Sequence, residues 1–227
     1  MKKMSDKRKR QEGRGTGTEK DYKPYIQARE VNSIGTCSNP IDWKTGRTVQ
    51  LLSQGEDALW HILRWNDDII DIREQYPLDL KRTFKIAGEF GIQHPGKNPM
   101  TTDFLVTMRN GQMIAYSLKP STDVLEDQRT VEKLFMEKTY WVTQGVEFKL
   151  IFKTDINTIL CNNIRLVVPY YKAEKVHDDA SVIKHLIAAK RIPIDMESAP
   201  LKIRFLKQEY EKEIALWRQQ NSRLAIF

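Results

Sequence analysis

The chain has 227 residues, of which 40% are hydrophobic and 30% are charged, and its formal net charge at pH 7 is +7. This length and apolar content suit one substantial core, or a main domain with a small appendage, and argue against wholesale disorder. The excess of Lys and Arg points toward a polyanionic partner such as nucleic acid, because cations that neutralise phosphates release counterions.

The two cysteines, Cys37 and Cys161, lie far apart and have no Cys or His at metal-ligand spacing. The sequence therefore suggests neither a zinc site nor a disulfide framework. No run approaches the ~20 apolar residues of a membrane span, and the basic N-terminus lacks the apolar stretch of a signal peptide. We expect a cytoplasmic protein that does not enter a membrane.

Residues 1–20 combine clustered Lys and Arg with Gly and Thr and contain almost no apolar side chains. Such a composition cannot offset the entropy lost on ordering, so a flexible basic arm is predicted. The arm is either a solvated tail without a role or a segment that contacts DNA phosphates. Its candidate DNA-binding cations are Lys7, Arg8, Lys9, Arg10 and Arg14.

The segments that follow alternate between β and α patterns. Residues 41–51 are typical of a hairpin, and residues 53–65 have the apolar spacing of a helix. Residues 69–78 begin as an apolar strand that Pro77 stops. Residues 88–100 are rich in Gly, Pro and Asn, which predicts a loop.

After a hairpin at residues 101–120, residues 123–144 have helical spacing and residues 146–154 have the pattern of a mostly buried strand. Helix, strand, hairpin, helix and strand in this order predict an α/β fold with a mixed sheet flanked by helices.

The character of the sequence changes near residue 168. An amphipathic helix is predicted at residues 181–190, and a charged helix from about residue 200. These two helices form either a helix-turn-helix-like module or an appendage that docks a partner. The predicted organisation is a basic arm at 1–20, a catalytic domain at 21–168 and a small helical domain at 169–227.

The hairpin at residues 101–120 has two plausible registers. A two-residue turn at Asn110-Gly111 would pair Asp103 with Leu118. Because side chains alternate along a strand, Asp103 and Lys119 would then lie on opposite faces, and no site would form.

A three-residue loop at residues 109–111, with Gly in the left-handed conformation, would pair Asp103 with Ser117 and place Lys119 on the same face. This register is favoured because it segregates large apolar side chains from the rest. The side chains collected on one face are Phe104, Val106, Met108, Ile114, Tyr116 and Leu118.

An acid and a lysine that converge at a strand end, with a carboxylate on the preceding helix, suit metal-dependent phosphodiester hydrolysis. Glu56 is the candidate helix carboxylate, but Ser53-x-x-Glu56 is also a capping box, in which Glu56 would only satisfy a backbone N–H. Asp103 and Lys119 could equally be a solvated pair worth under about 1 kcal/mol.

Several blocks of the sequence, in order over about residues 13–155, resemble TnsA, the endonuclease subunit of heteromeric cut-and-paste transposases. The blocks are GRGTGTEKDYKPYI, LLSQGEDALWHILRWNDDIIDIREQYPL, TTDFLV, AYSLKP and RTVEKLFMEKTYW. The resemblance implies a restriction-endonuclease-like core, in agreement with the predicted order of elements. By motif match it implies Glu56, Asp103 and Lys119 as catalytic residues and two Mg²⁺ ions per site, with Mn²⁺ as a substitute.

Ser117 departs from the family pattern, which has glutamine two residues before the lysine where most related nucleases have a carboxylate. A hydroxyl is a poorer Mg²⁺ ligand, so one metal would depend more on Asp103, the backbone carbonyl of Leu118 and water. Two acids of the following helix, Glu132 and Glu137, either add outer contacts or are merely solvated.

The resemblance also implies a function. The protein would cut the 5′ strand at each transposon end, a TnsB-like DDE transposase would cut the other strand, and a TnsC-like AAA+ ATPase would couple excision to a target. The C-terminal region, about sixty residues, is shorter than the family's C-terminal domain. The alternatives are a stand-alone restriction or repair nuclease, or a catalytically decayed DNA-binding assembly subunit.

Overall fold

The structure is a computed structural model, and it describes residues 4–31 and 37–221. The chain divides into two compact units, Met1–Ile156 and Asn157–Phe227. Residues 1–3 of the expected basic arm and residues 222–227 of the expected helical domain lie outside the described residues. The predicted boundary at residues 168 and 169 falls inside the second unit, so the predicted domain limits stay a prediction.

The first unit is built around one mixed sheet. Its strands lie in the order β1-β2-β3-β4, with antiparallel pairing from β1 to β3 and parallel pairing between β3 and β4. Together with the flanking helices, this sheet confirms the predicted α/β fold. The elements are α1 (Asp6–Gln11), α2 (Gln54–Trp65), β1 (Ile69–Pro77), α3 (Leu80–Glu89), β2 (Thr101–Met108), β3 (Met113–Lys119), α4 (Gln128–Val142) and β4 (Glu147–Phe152).

Helix α2 begins where the sequence places a capping residue. The hydroxyl of Ser53 accepts a hydrogen bond from the backbone N–H of Glu56 and so satisfies one of the unpaired donors of the first turn. Leu59, Trp60 and Leu63 are buried, as their helical spacing predicts. The cap and the apolar face together fix the start of the helix and therefore the position of Glu56.

Helix α3 is an element that the sequence patterns above did not predict. Asp79 caps it by accepting a hydrogen bond from the backbone N–H of Arg82, and Ile86 and Ala87 are buried. They join the hydrophobic cluster that α4 forms against β2 and β3. Its buried members are Leu78, Ile86, Ala87, Leu105, Ala115, Met136, Tyr140, Trp141 and Val146.

The hairpin adopts the three-residue register favoured by its apolar pattern. Gly111 has φ 85°, and its N–H donates to the carbonyl of Met108 over 2.9 Å. The paired residues are Phe104↔Tyr116, Leu105↔Ala115, Val106↔Ile114 and Thr107↔Met113. Continued by one pair, this register places Asp103 opposite Ser117, so the prediction of the three-residue loop is confirmed.

The N-terminal segment differs from the expected flexible arm, because its described residues pack on the first unit. Arg14 is only 3% exposed, and its Nη1 lies 2.6 Å from Glu30 Oε1. Lys9 Nζ lies 2.9 Å from the other oxygen of the same carboxylate. The hydroxyl of Tyr25 donates to Asp6 over 2.8 Å. The partners that order this segment lie beyond residue 20, where its own composition could not indicate them.

The second unit is helical, in agreement with the predicted C-terminal helices. Asn163 joins two parts of it, since its amide donates to the carbonyls of Met196 and Ala199 and accepts from the N–H of Leu201. The long charged helix expected after residue 200 is divided in two at Tyr210. The elements are α5 (Thr158–Val167), α6 (Asp179–Ala188), α7 (Ile203–Glu209) and α8 (Glu211–Gln220).

None of the helices within residues 4–31 and 37–221 is long and apolar enough to cross a membrane.

Candidate active site

Glu56 lies in the first turn of α2 and is only 7% exposed. Its carboxylate accepts hydrogen bonds from the backbone N–H of Leu52 at 3.0 Å and from the hydroxyl of Ser53 at 3.3 Å. The Glu56 carboxylate therefore does satisfy a backbone N–H, but it is that of Leu52, one residue before the N-cap Ser53 that a capping box would use. The same carboxylate also accepts from the side-chain amide of Gln75 at 3.3 Å, which connects the helix start with β1. One carboxylate thus takes part in the cap and faces the sheet.

Asp103 lies near the start of β2 and is half-buried. Its Oδ2 accepts a hydrogen bond from the backbone N–H of Leu118 over 2.7 Å, and its Oδ1 accepts from the amide of Gln75 over 3.4 Å. Burial raises the pKa of the Asp103 carboxyl, and the positive charge of Lys119 opposes that rise without overcoming it. The acid is fixed in place beside the end of β3.

Lys119 ends β3 and reaches the same edge of the sheet. Its Nζ donates to the hydroxyl of Ser117 and to the backbone carbonyl of Leu118, each over 3.0 Å. The ammonium of Lys119 is therefore hydrogen-bonded to two of the oxygens that the sequence analysis expects to bind a metal ion. A carbonyl oxygen has two lone pairs, so the Leu118 oxygen retains capacity for a second partner.

Gln75, to which the sequence patterns assigned no role, brings Glu56 and Asp103 together. Its Nε2 lies within hydrogen-bonding distance of both carboxylates, and its Oε1 accepts from the hydroxyl of Thr101 over 3.0 Å. The residue is 3% exposed and has φ 48°. One signal in the sequence could have identified Gln75. It is the single amide side chain in a strand that is otherwise largely buried.

Glu137, on α4, supports the site from the other side. It is 5% exposed and accepts a hydrogen bond from the hydroxyl of Thr102 over 2.8 Å. It also shares a hydrogen bond with Ser117, and its pKa is raised to about 8 by burial and then by the negative charge of Asp103. Glu132, by contrast, pairs with Arg129 over 2.7 Å.

The electrostatics of the site suit a cation. Burial, and then the neighbouring charge of Asp103, raise the pKa of Glu56 to about 7. The charge of Asp103 thus acts on both Glu56 and Glu137, and a divalent ion held by carboxylate and carbonyl oxygens would relieve this repulsion. Within the described ranges no three His, Cys, Asp or Glu side chains form a ready metal cluster. The Leu118 carbonyl and water would have to complete the ligand set.

The five cations proposed to contact DNA divide into two groups. Lys9 and Arg14 are buried and paired with Glu30. The other three project from α1 as exposed side chains: Lys7, Arg8 and Arg10. The structure therefore leaves three of the five accessible to a phosphate backbone.

The mixed sheet, the flanking helices and the acid and lysine at neighbouring strand ends define a restriction-endonuclease-like core. Residues 66–153 match the family model described as "TnsA-like endonuclease N terminal". The transposon Tn7 transposition protein TnsA of Escherichia coli is 39% identical over 163 residues, which are 69% of this chain and 59% of that protein. Residues 66–153 thus form a TnsA-like endonuclease N-terminal domain, and the chain is similar to TnsA over most of its length.

Both matches cover only part of the proteins compared, so they do not assign roles to individual residues of this chain. The aligned part of the chain spans 59% of the length of the Escherichia coli relative. Asp103 and Lys119 fall inside the range of the family model, whereas Glu56 lies ten residues before its start. The roles of these residues therefore depend on the geometry of the site.

Proposed function

We propose that the chain is a Mg²⁺-dependent DNA endonuclease that cuts the 5′ strand at transposon ends. The observation that carries this proposal is the bridge from Gln75 to the buried Glu56 of α2 and the half-buried Asp103 of β2, the acid on which the charge of Lys119 acts. A TnsA-like core supplies the setting. Buried carboxylates that lack a matching cation are typical of catalytic sites.

Glu56, Asp103 and the backbone carbonyl of Leu118 would hold the metal, with Ser117 as a weak ligand. When bound, Mg²⁺ supplies charge neutralisation and a water of lowered pKa. The hydroxyl of Ser117 already accepts from Lys119 and is hydrogen-bonded to Glu137, which supports a minor role in ligation. Two ions per site remain the expectation, with Mn²⁺ as a substitute.

The residues of the chain orient the reacting groups. The N–H of Leu118 holds the Asp103 carboxylate in place, and its two oxygens keep lone pairs that could bind a metal ion. The ammonium of Lys119 can orient the attacking water and donate to negative charge that develops on the phosphate. In-line attack by that water would leave a 5′ phosphate and a 3′ hydroxyl.

The partners are part of the proposal. The relative's name describes a transposition protein of Tn7. A TnsB-like DDE transposase would cut the second strand, and a TnsC-like AAA+ ATPase would couple excision to target choice. The helical second unit would then be a region for partner contacts.

The test is 5′-strand cleavage in a reconstituted transposase with Mg²⁺. Asp103→Asn and Lys119→Ala should each lower the rate by at least about 100-fold, because each removes several kcal/mol of transition-state stabilisation. Asp68→Asn is the matched control, since Asp68 is an exposed acid on the same unit. Wild-type cleavage by either site variant would show that the assignment is wrong.

Two further measurements on the purified chain separate the proposed function from its two alternatives. Cleavage by the purified chain without partners would favour a stand-alone restriction or repair nuclease. A calorimetric titration in which Mg²⁺ gives no heat with the wild-type chain would favour a decayed assembly subunit.

A further inference from the structure

Both polar atoms of the Gln75 side-chain amide have hydrogen-bond partners. Its Nε2 lies 3.3 Å from Glu56 Oε2 and 3.4 Å from Asp103 Oδ1. Its Oε1 accepts from the hydroxyl of Thr101 over 3.0 Å. Because the oxygen is occupied by a donor, the amide can only face the two acids with its N–H groups.

An amide suits this position better than a cation would. A lysine or arginine between Glu56 and Asp103 would neutralise them and compete with a metal ion. The neutral N–H groups of Gln75 hold both carboxylates while leaving their negative charge available. Hydrogen bonds of this kind orient metal ligands in many proteins.

The backbone of Gln75 is held in an unusual conformation. Its φ of 48° lies in the left-handed region, which is costly for any residue other than glycine and rare within a strand. Such a conformation persists only where the surrounding structure fixes it.

The residues on either side of Gln75 are fixed. The carboxylate of Glu74 is fully buried and receives Nη1 and Nη2 of Arg47 at 2.6 and 2.7 Å. The carbonyl of Glu74 also accepts from the hydroxyl of Tyr22 at 2.9 Å. Two residues beyond Gln75, the ring of Pro77 lies against Gly15 so closely that a Cβ there would come within 2.3 Å of it.

We infer, on the basis of the function proposed above, that Gln75 is a positioning residue for metal binding. Its clamped left-handed backbone aims the amide at the gap between α2 and β2, and the amide holds Glu56 and Asp103 in the arrangement that receives the divalent ion. Its contribution is to metal affinity, and the chemical step belongs to the residues that it positions.

The test is a calorimetric titration of the full chain with Mn²⁺, using three variants. Gln75→Leu removes the amide and keeps the size of the side chain. Gln75→Gly removes the amide and also accepts the positive φ without strain. Gln112→Leu is the matched control, because the amide of Gln112 also donates to a carboxylate, Glu147 Oε2 at 3.3 Å, on the exposed end of the sheet.

Both Gln75 variants should bind Mn²⁺ about 10- to 100-fold more weakly than the wild type, the usual loss when a partner of a metal ligand is removed. Gln112→Leu should bind as the wild type does. In the reconstituted transposase, the Mn²⁺ concentration for half-maximal cleavage should rise by the same factor. The rate at saturating Mn²⁺ should stay within a few-fold of the wild-type rate, which a general loss of structure would not allow.

Wild-type Mn²⁺ affinity in Gln75→Gly, or a loss of rate at saturating metal with affinity unchanged, would overturn this role. If Gln75→Leu does not fold, the glycine variant decides, because it relieves the backbone. A wild-type chain that binds no Mn²⁺ would refute the proposed function and this role with it. If the wild type binds Mn²⁺ and Gln75→Gly binds it with the same affinity, only the role of Gln75 is refuted.

Discussion

Two buried glutamates of the first unit, Glu74 and Glu56, have opposite surroundings. Glu74 is fully buried, and its carboxylate is held by both terminal nitrogens of Arg47 and by the backbone N–H of Gln50. Glu56 is nearly as buried, but the donors hydrogen-bonded to it are neutral, and Asp103 raises its pKa further.

The difference separates an acid with a structural role from the acid that we propose as a metal ligand. Removal of a carboxylate from water is costly, and a bidentate arginine offsets that cost at Glu74. At Glu56 the cost is left partly uncompensated, and the negative charge of a second acid, Asp103, makes it larger. The shortage of positive charge is what indicates a place for a divalent cation.

The largest expected effect on stability comes from breaking the compensated pair. Arg47→Met should lower the free energy of unfolding by about 3–5 kcal/mol, because it leaves the carboxylate of Glu74 buried and unpaired. Chemical denaturation followed by circular dichroism measures this. The control is Arg8→Met, an exposed arginine whose pair with Glu12 is long, at 3.5 Å, and whose loss should change stability by under about 0.5 kcal/mol. Equal losses of stability in Arg47→Met and Arg8→Met would contradict the view that Arg47 offsets the cost of burying Glu74.

The uncompensated acid should behave in the opposite way. Glu56→Gln should raise the stability of the metal-free protein by about 1–3 kcal/mol at pH 8 while abolishing cleavage. The pKa of Glu56 rises from 4.5 to about 7 on folding, so the folded state binds a proton that the unfolded state does not. The contribution of this proton is complete below about pH 4.5 and is lost as the pH rises through 7.

The measurement is the free energy of unfolding of wild type and Glu56→Gln between pH 4 and pH 8 in the presence of a chelator. The variant should gain relative to the wild type with rising pH and show no gain near pH 4. A constant difference at all pH values would contradict the proposed crowding of charge.

A divalent cation should supply the charge that the site lacks. Mg²⁺ at ten times its dissociation constant should stabilise the wild type by about 1.4 kcal/mol, and a chelator should reverse this. Asp103→Asn should show little of the gain, whereas Asp68→Asn should keep it. Thermal melts with and without Mg²⁺ test the expectation, which fails if Asp103→Asn gains as much as the wild type.

The smallest effect concerns the exposed cations of α1. Replacing both Lys7 and Arg8 by alanine should reduce the salt dependence of DNA binding by about two phosphate contacts and leave stability unchanged. Arg14→Ala should instead lower stability, since Arg14 is buried against Glu30. Fluorescence anisotropy over a series of salt concentrations measures the slope of the logarithm of the DNA-binding constant against the logarithm of salt concentration. An unchanged slope in the double variant would refute a role of α1 in DNA binding.

Much of the fold and part of the site could be predicted from local patterns. The segregation of large side chains selected the register of the hairpin, and this register brings Asp103 opposite Ser117 with Lys119 two residues further on. The cap at Ser53 located the start of α2 and with it Glu56. The catalytic roles of these residues stay predictions until cleavage is measured.

Other features depend on partners that are distant in the sequence. Arg14 is ordered by Glu30, sixteen residues away, so the composition of residues 1–20 pointed wrongly toward a segment without packing. Gln75 reaches Glu56 across 19 residues and Asp103 across 28.

The sequence by itself determined the order of the sheet strands and of helices α2 and α4, the hairpin register and the candidate acids and lysine, because periodicity, caps and turn residues act over a few positions. Only the tertiary structure decided which charges are compensated. Glu74 and Gln75 are neighbours in β1, yet one carries a buried ion pair and the other bridges two acids. Which side chain meets which depends on the path of the whole chain, and the balance of charge at the site follows from that path.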